Sequence, residues 1–245
     1  MIHSRLIASA TAAAALLVGL PQAHATLLIA GQIGVSTFTC ADNQVTCDTN
    51  PAVGILQIAN QTINGVQING SIQTSSIDPL QNILNTSSLS IINNLAVSRT
   101  ITFVVSDTDF IGPVTSFSTA GAGTWQVANG STISLNWYND PLNQQGAENP
   151  TDTPGTLIDT FSDVANGNAD AFSHNGSGPI SDPDLFSMTL QATGTLAPHA
   201  QLINRGQTEI KNRAEEVPEP ASLALLGSAL AGLGLLARRR RPFSG

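Results

Sequence analysis

The pair Asn64-Gly65 constrains the fold of this chain more than any other local feature. It stands between two runs, Gln61–Ile63 and Val66–Ile68, in which apolar and polar residues alternate. Both residues of the pair tolerate positive φ, which the type I′ turn of a two-residue β-hairpin demands. Alternation then places Val66, Ile68 and Ile72 on one face, with Gln67, Asn69 and Gln73 on the other. Arg99–Ser106, Thr124–Val127, Thr132–Tyr138, Thr156–Ser162 and Leu185–Thr193 show the same alternation or are enriched in β-branched residues. Ser88–Val97 reads equally as a strand or a short helix. Turn residues punctuate the runs at Asp78-Pro79, Gly112-Pro113, Asn129-Gly130, Asn139-Asp140-Pro141 and Gly176–Pro183. Many short strands without a convincing amphipathic helix predict an all-β protein, an antiparallel β-sandwich of jelly-roll or Ig-like type. Leu142–Thr156 lacks a core pattern and is expected to be a surface loop.

Charged residues make up only 11% of the chain, less than half the usual globular share of about 25%. Between Thr26 and Glu216 there are 4 basic and 16 acidic residues, a formal charge of −12. A surface of that sign repels nucleic acid and anionic polysaccharide, and it argues against phosphate binding.

The ends differ from the middle. Met1–Ala25 has Arg5 near its start, an apolar stretch from Leu6 to Leu20, then Pro21 and Ala23-His24-Ala25. That order is expected of a secretory signal peptide cleaved after Ala25, with Ala23 and Ala25 as the small residues that the peptidase reads. The body is expected to span residues 26–202. Residues 203–216, polar and mixed in charge, read as a linker to the tail. Cys40 and Cys47 are the only cysteines. In an oxidising compartment so close a pair is expected to form a local disulfide around Ala41–Thr46. No histidine lies near enough to suggest a metal site, and a redox pair is more typically spaced C-x-x-C.

No role-defined catalytic set is visible. His174 and His199 sit in turn-rich polar stretches, and the adjacency of Ser173 and His174 has no nucleophilic meaning without spatial orientation. The expectation is a non-enzymatic protein, with no cofactor and no catalytic residue. Asp107, Asp109, Asp182 and Asp184 flank predicted strands and are the candidates for a calcium ion, which needs six to eight oxygens. Solvated turn aspartates explain the same residues without a metal. Trp125, Trp137 and Tyr138 could form a sugar platform, but aromatics at strand positions are more often core.

The tail has three parts: Val217-Pro218-Glu219-Pro220, then Ala221–Ala237, then Arg238, Arg239, Arg240 and Arg241. The middle part holds 17 uncharged residues including seven leucines, about 25 Å as a helix and long enough for a short membrane span. The arginines would stop transfer and remain cytoplasmic, leaving the body outside. In that order of parts, residues 217–245 resemble the PEP-CTERM protein-sorting domain. The resemblance implies recognition of Pro-Glu-Pro by a membrane exosortase, cleavage nearby, and release to the cell exterior. It also implies a Gram-negative host that makes exopolysaccharide and often forms biofilm. The reading is therefore an exported surface or matrix protein. A carbohydrate-binding module of that matrix, with or without calcium, is the first alternative; a secreted hydrolase with an unrecognised site is the second.

Overall fold

A computed structural model describes residues 26–69, 71–77, 81–182 and 184–212. The signal segment, the Pro-Glu-Pro element, the apolar run 221–237 and the arginine cluster lie outside the described residues, as does the Asp78-Pro79 turn. Strands are numbered in chain order. One sheet holds six, in the spatial order β11 (Thr156–Val164), β10 (Thr132–Asp140), β13 (Phe186–Leu196), β8 (Arg99–Phe110), β1 (Leu28–Ile33) and β2 (Ser36–Ala41). The other holds eight. Its main path runs β12 (Ala169–Asp182), β9 (Val114–Gln126), β14 (Gln201–Asn212), β7 (Gln81–Asn93), β5 (Val66–Asn69) and β4 (Gln61–Ile63). Farther along β7, β6 (Ser71–Ile77) takes the place of β5, and β3 (Ile55–Ile58) pairs with β6. Every strand pair is antiparallel, and the two sheets enclose one core, as a sandwich requires.

The core is built by alternation. In β8, Ile101, Phe103 and Val105 point inward; in β7, Leu84, Leu89 and Ile91 face them from the opposite sheet. Trp125 and Trp137 are fully buried core residues rather than a surface platform. Val104 is buried as well, because the 141–155 loop folds back over that strand and packs Ala147 against Val104 and Ala30. Gly146 N–H donates to Ser106 Oγ at 3.1 Å, fastening the loop to the sheet.

The Asn64-Gly65 hairpin forms, with φ of 47° and 76° and Ile63 paired to Val66. Cys40 and Cys47 are bonded. The loop they close is organised by the Asp48 carboxylate, which accepts N–H bonds from Asn43 (2.8 Å), Asn50 (2.9 Å) and Gln57 (2.9 Å).

Four readings need correction. The linker expected at 203–216 is strand through Asn212: β14 lies between β9 and β7 in the middle of its sheet. Its inward residues include Asn204, Gly206 and Thr208, so the hydrophobic alternation that would have revealed it is diluted. Gly176–Pro183, read as a turn cluster, belongs through Asp182 to β12. Gln73 is buried rather than surface-facing, and accepts a hydrogen bond from Thr86 at 2.6 Å. The alternation of β5 does not carry into β6, because the two pair with different stretches of β7. Ser88–Val97 is neither a helix nor a separate strand: its first residues continue β7 to Asn93.

Candidate functional site

The first constellation lies between β11 and β12, the edge strands of the two sheets. His174 is on β12, and its ring packs between Phe161 (centroids 4.9 Å apart) and Trp137 (5.5 Å). It is therefore a strand residue in an aromatic slot, not the turn residue its neighbours in sequence suggest. Its Nε2 lies 2.8 Å from Asp159 Oδ2. The same oxygen accepts from Thr119 Oγ1 on β9, and Oδ1 accepts from Thr160 N–H at 2.9 Å. Gly176 makes this approach possible: a Cβ there would fall 2.0 Å from Asp159 Oδ2. The carboxylate is the hub, bonded separately to hydroxyl and imidazole. A nucleophilic relay needs the hydroxyl on the imidazole, so this arrangement is a cross-sheet strut. Trp125 adds a second tie, its indole N–H donating to Asp163 Oδ2 at 3.0 Å.

The four aspartates considered for calcium do not gather in one place among the described residues. Asp107 is buried on β8, accepting from Thr108 N–H at 2.9 Å. Asp109, with φ of 62°, exchanges two hydrogen bonds with Asn143: its N–H donates to Asn143 Oδ1 (2.8 Å), and Asn143 Nδ2 donates to its Oδ1 (2.6 Å). Asp182 accepts from Asn139 Nδ2 at 2.8 Å, and Asp184 is exposed. Burial raises the Asp107 carboxyl to about 6, with Asp109 and Asp42 adding like charge. Asp182 is raised too, by burial first and by the charge of Asp140. Among the described residues no three acidic, histidine or cysteine side chains gather as a metal site. Asp107, Asp109 and Asp182 instead have protein donors of their own.

The second constellation was not anticipated from sequence. On the outer face of the eight-stranded sheet the register aligns Asn175, Ala120, Gln207 and Asn85 across four strands. The neighbouring row holds Ser173, Ala122 and Arg205, with Ser87 beside it. Together they line an open hollow of about 380 Å³. Its depth has a packing cause. Between the two rows lie Gly121 and Gly206, whose inward sides touch the opposite sheet: a Cβ on either would meet Leu135 or Leu190 at 2.6 Å. Without inward side chains the sheet settles onto its partner, and alanines leave the floor of the outer face low. The signal in sequence was Ala120-Gly121-Ala122-Gly123, which reads as flexible until its register is known.

Several solved structures are similar in overall form. TmCBM61 in complex with β-1,4-galactotriose is 10% identical, with a TM-score of 0.31, over 51% of this chain and 80% of that one. The CBM22-1 xylan-binding domain from Paenibacillus barcinonensis Xyn10C is 12% identical, with a TM-score of 0.30, over 69% and 90%. The infectious bursal disease virus VP2 subviral particle is 12% identical, with a TM-score of 0.28, over 80% and 54%. Likeness at this level says nothing of ligand or activity. No curated protein matches the chain. The informative match lies in the tail: over residues 216–241 the chain carries the PEP-CTERM protein-sorting motif, which marks it as a PEP-CTERM domain-containing protein, exported and processed at the cell envelope.

Proposed function

We infer that this is a non-enzymatic surface or extracellular-matrix protein, whose β-sandwich is delivered to the cell exterior and freed from its tail by an exosortase. The observation that carries the reading is the sorting motif at 216–241 placed directly behind a folded, disulfide-bonded β body. In this reading Met1–Ala25 directs export, Ala221–Ala237 holds the chain in the membrane, and cleavage near Val217–Pro220 ends that attachment. The test is intact mass of the protein from culture fractions, with and without the exosortase. The expected result is loss of the tail only when the enzyme is present. Retention of Ala221–Gly245 in both would make the tail a permanent anchor and sink the sorting step.

A second reading has its own observation in the outer hollow. The amides of Asn85, Asn175 and Gln207, with neighbouring hydroxyls, can exchange hydrogen bonds with a polyol. In this reading the body binds polysaccharide of the matrix into which it is released. Passage of the purified chain through a column of the producer's own polysaccharide should retard it; free passage would leave the body without this role.

A further inference from the structure

The hollow does not stand alone. A second one, about 480 Å³, adjoins it along the same face and is lined by Ser116, Ser118, Ser177 and Lys211 among others. Ser118 and Ser177 stand two residues beyond Ala120 and Asn175 on their strands, so the two hollows form successive stretches of one trough. Along β14 the outward residues are Arg205, Gln207, Glu209 and Lys211. The trough therefore has a cation towards each end, about 20 Å apart at the rise of an extended strand.

Charge is not evenly used along it. Glu209 pairs with Lys211 at 3.2 Å and also accepts from Ser118 Oγ. Lys211 is thus largely answered. Arg205 is exposed, and its side chain has no ion pair, hydrogen bond or ring partner among the described residues. It stands opposite a β-bulge of β7, where residues 87 and 88 face it between the Asn204–Leu89 and Gly206–Thr86 pairs, and it keeps regular register with Ala122 of β9. Among the described residues no carboxylate lines its hollow. Arg99, Arg205 and Lys211 supply the Lys or Arg charge between residues 26 and 212; Arg99 and Arg205 have no ion pair among the described residues, and of the two it is Arg205 that stands on the polar floor of the hollow.

Resting on the polysaccharide reading, we propose that the trough binds an acidic polysaccharide, with a uronate carboxylate seated on Arg205. The guanidinium offers a planar fork of donors that matches a carboxylate in bidentate fashion, and such charge-assisted bonds are about twice as strong as neutral ones. Amides and hydroxyls along the trough serve the sugar hydroxyls. The net charge of the body opposes such a ligand at a distance. That repulsion is screened beyond about 8 Å at physiological salt, so the contact at Arg205 decides. The charge count of the sequence correctly gives the sign of the whole surface and misses this local reversal.

The test compares retention of the full-length chain on immobilised polygalacturonate and on a neutral galactan. The expected result is at least tenfold stronger retention on polygalacturonate, a preference that Arg205→Ala abolishes and Lys211→Ala weakens severalfold. Arg205→Gln keeps an extended polar side chain without the charge, and should lose the preference with an unchanged melting temperature. Equal retention on the two polymers, or a preference that survives Arg205→Gln, overturns the proposal and leaves the polysaccharide reading standing. Passage through both columns, together with free passage through the producer's own polysaccharide, removes both.

Discussion

Asp159 and Asp107 are both carboxylates set into a sandwich of hydrocarbon, and their surroundings are opposite. Asp159 receives a hydroxyl, an imidazole and a backbone N–H, and lies between the edge strands of the two sheets. Asp107 is only 2% exposed, has fewer donors, and faces Asp109 and Asp42, which carry the same charge. The difference teaches that the cost of a buried acid is set by the donors aimed at it. At Asp159 the charge ties sheets together. At Asp107 it strains the fold whenever it is present.

The largest expected effect concerns what backs the strut. Trp137 is 0% exposed and stacks on His174 from inside, so Trp137→Ala should cost about 3–5 kcal/mol in denaturant unfolding. A loss below 1 kcal/mol would mean that the aromatic slot does not support Asp159.

Next comes a pair of substitutions with opposite signs. The Asp107 pKa in the folded chain, about 6, lies above its ordinary 3.8. The folded state then binds a proton that the unfolded state has released. Stability from this group is full below about pH 4 and falls as pH rises towards 6, by about 3 kcal/mol at pH 7. Asp107→Asn should therefore stabilise at pH 7 by up to that amount, with the gain vanishing near pH 4. Asp159→Asn should instead destabilise by about 1–3 kcal/mol, because it places amide hydrogens among donors. Thermal melts of both variants across pH 4–8 decide the matter; equal signs at pH 7 would erase the distinction between the two sites.

An effect no larger than that of Asp159→Asn is expected at Gly176. Alanine there puts a Cβ 2.0 Å from Asp159 Oδ2, and moving the carboxylate aside should cost about 1–3 kcal/mol. In the Asp159→Ala background the same substitution should cost much less, a non-additivity that a double-mutant cycle reads directly.

Much of the β architecture was legible beforehand. Asn64-Gly65 announced its hairpin, and the runs at Arg99, Thr132 and Thr156 became β8, β10 and β11. β14 was not legible, since its inward positions carry Asn204, Gly206 and Thr208 in place of hydrocarbon. β12 was hidden by glycines whose inward sides have no room for a side chain, Gly176 above all. Of the constellations, the Asp107 and Asp182 regions were singled out, but their burial was not. Neither the strut nor the hollow was foreseen.

The division has a physical basis. Turn chemistry, alternation, the closeness of Cys40 to Cys47 and the three-part tail are written in adjacent residues, so the sequence by itself determined the β class, the disulfide and the sorting motif. Thr119 and Asp159 lie 40 residues apart, and Arg205 meets Asn85, Ala122 and Ser173 only through the register of four strands. Such contacts depend on which strands become neighbours, a choice made by packing of the whole core. Only the tertiary structure could decide that a carboxylate becomes a strut and an unpaired arginine the end of a trough.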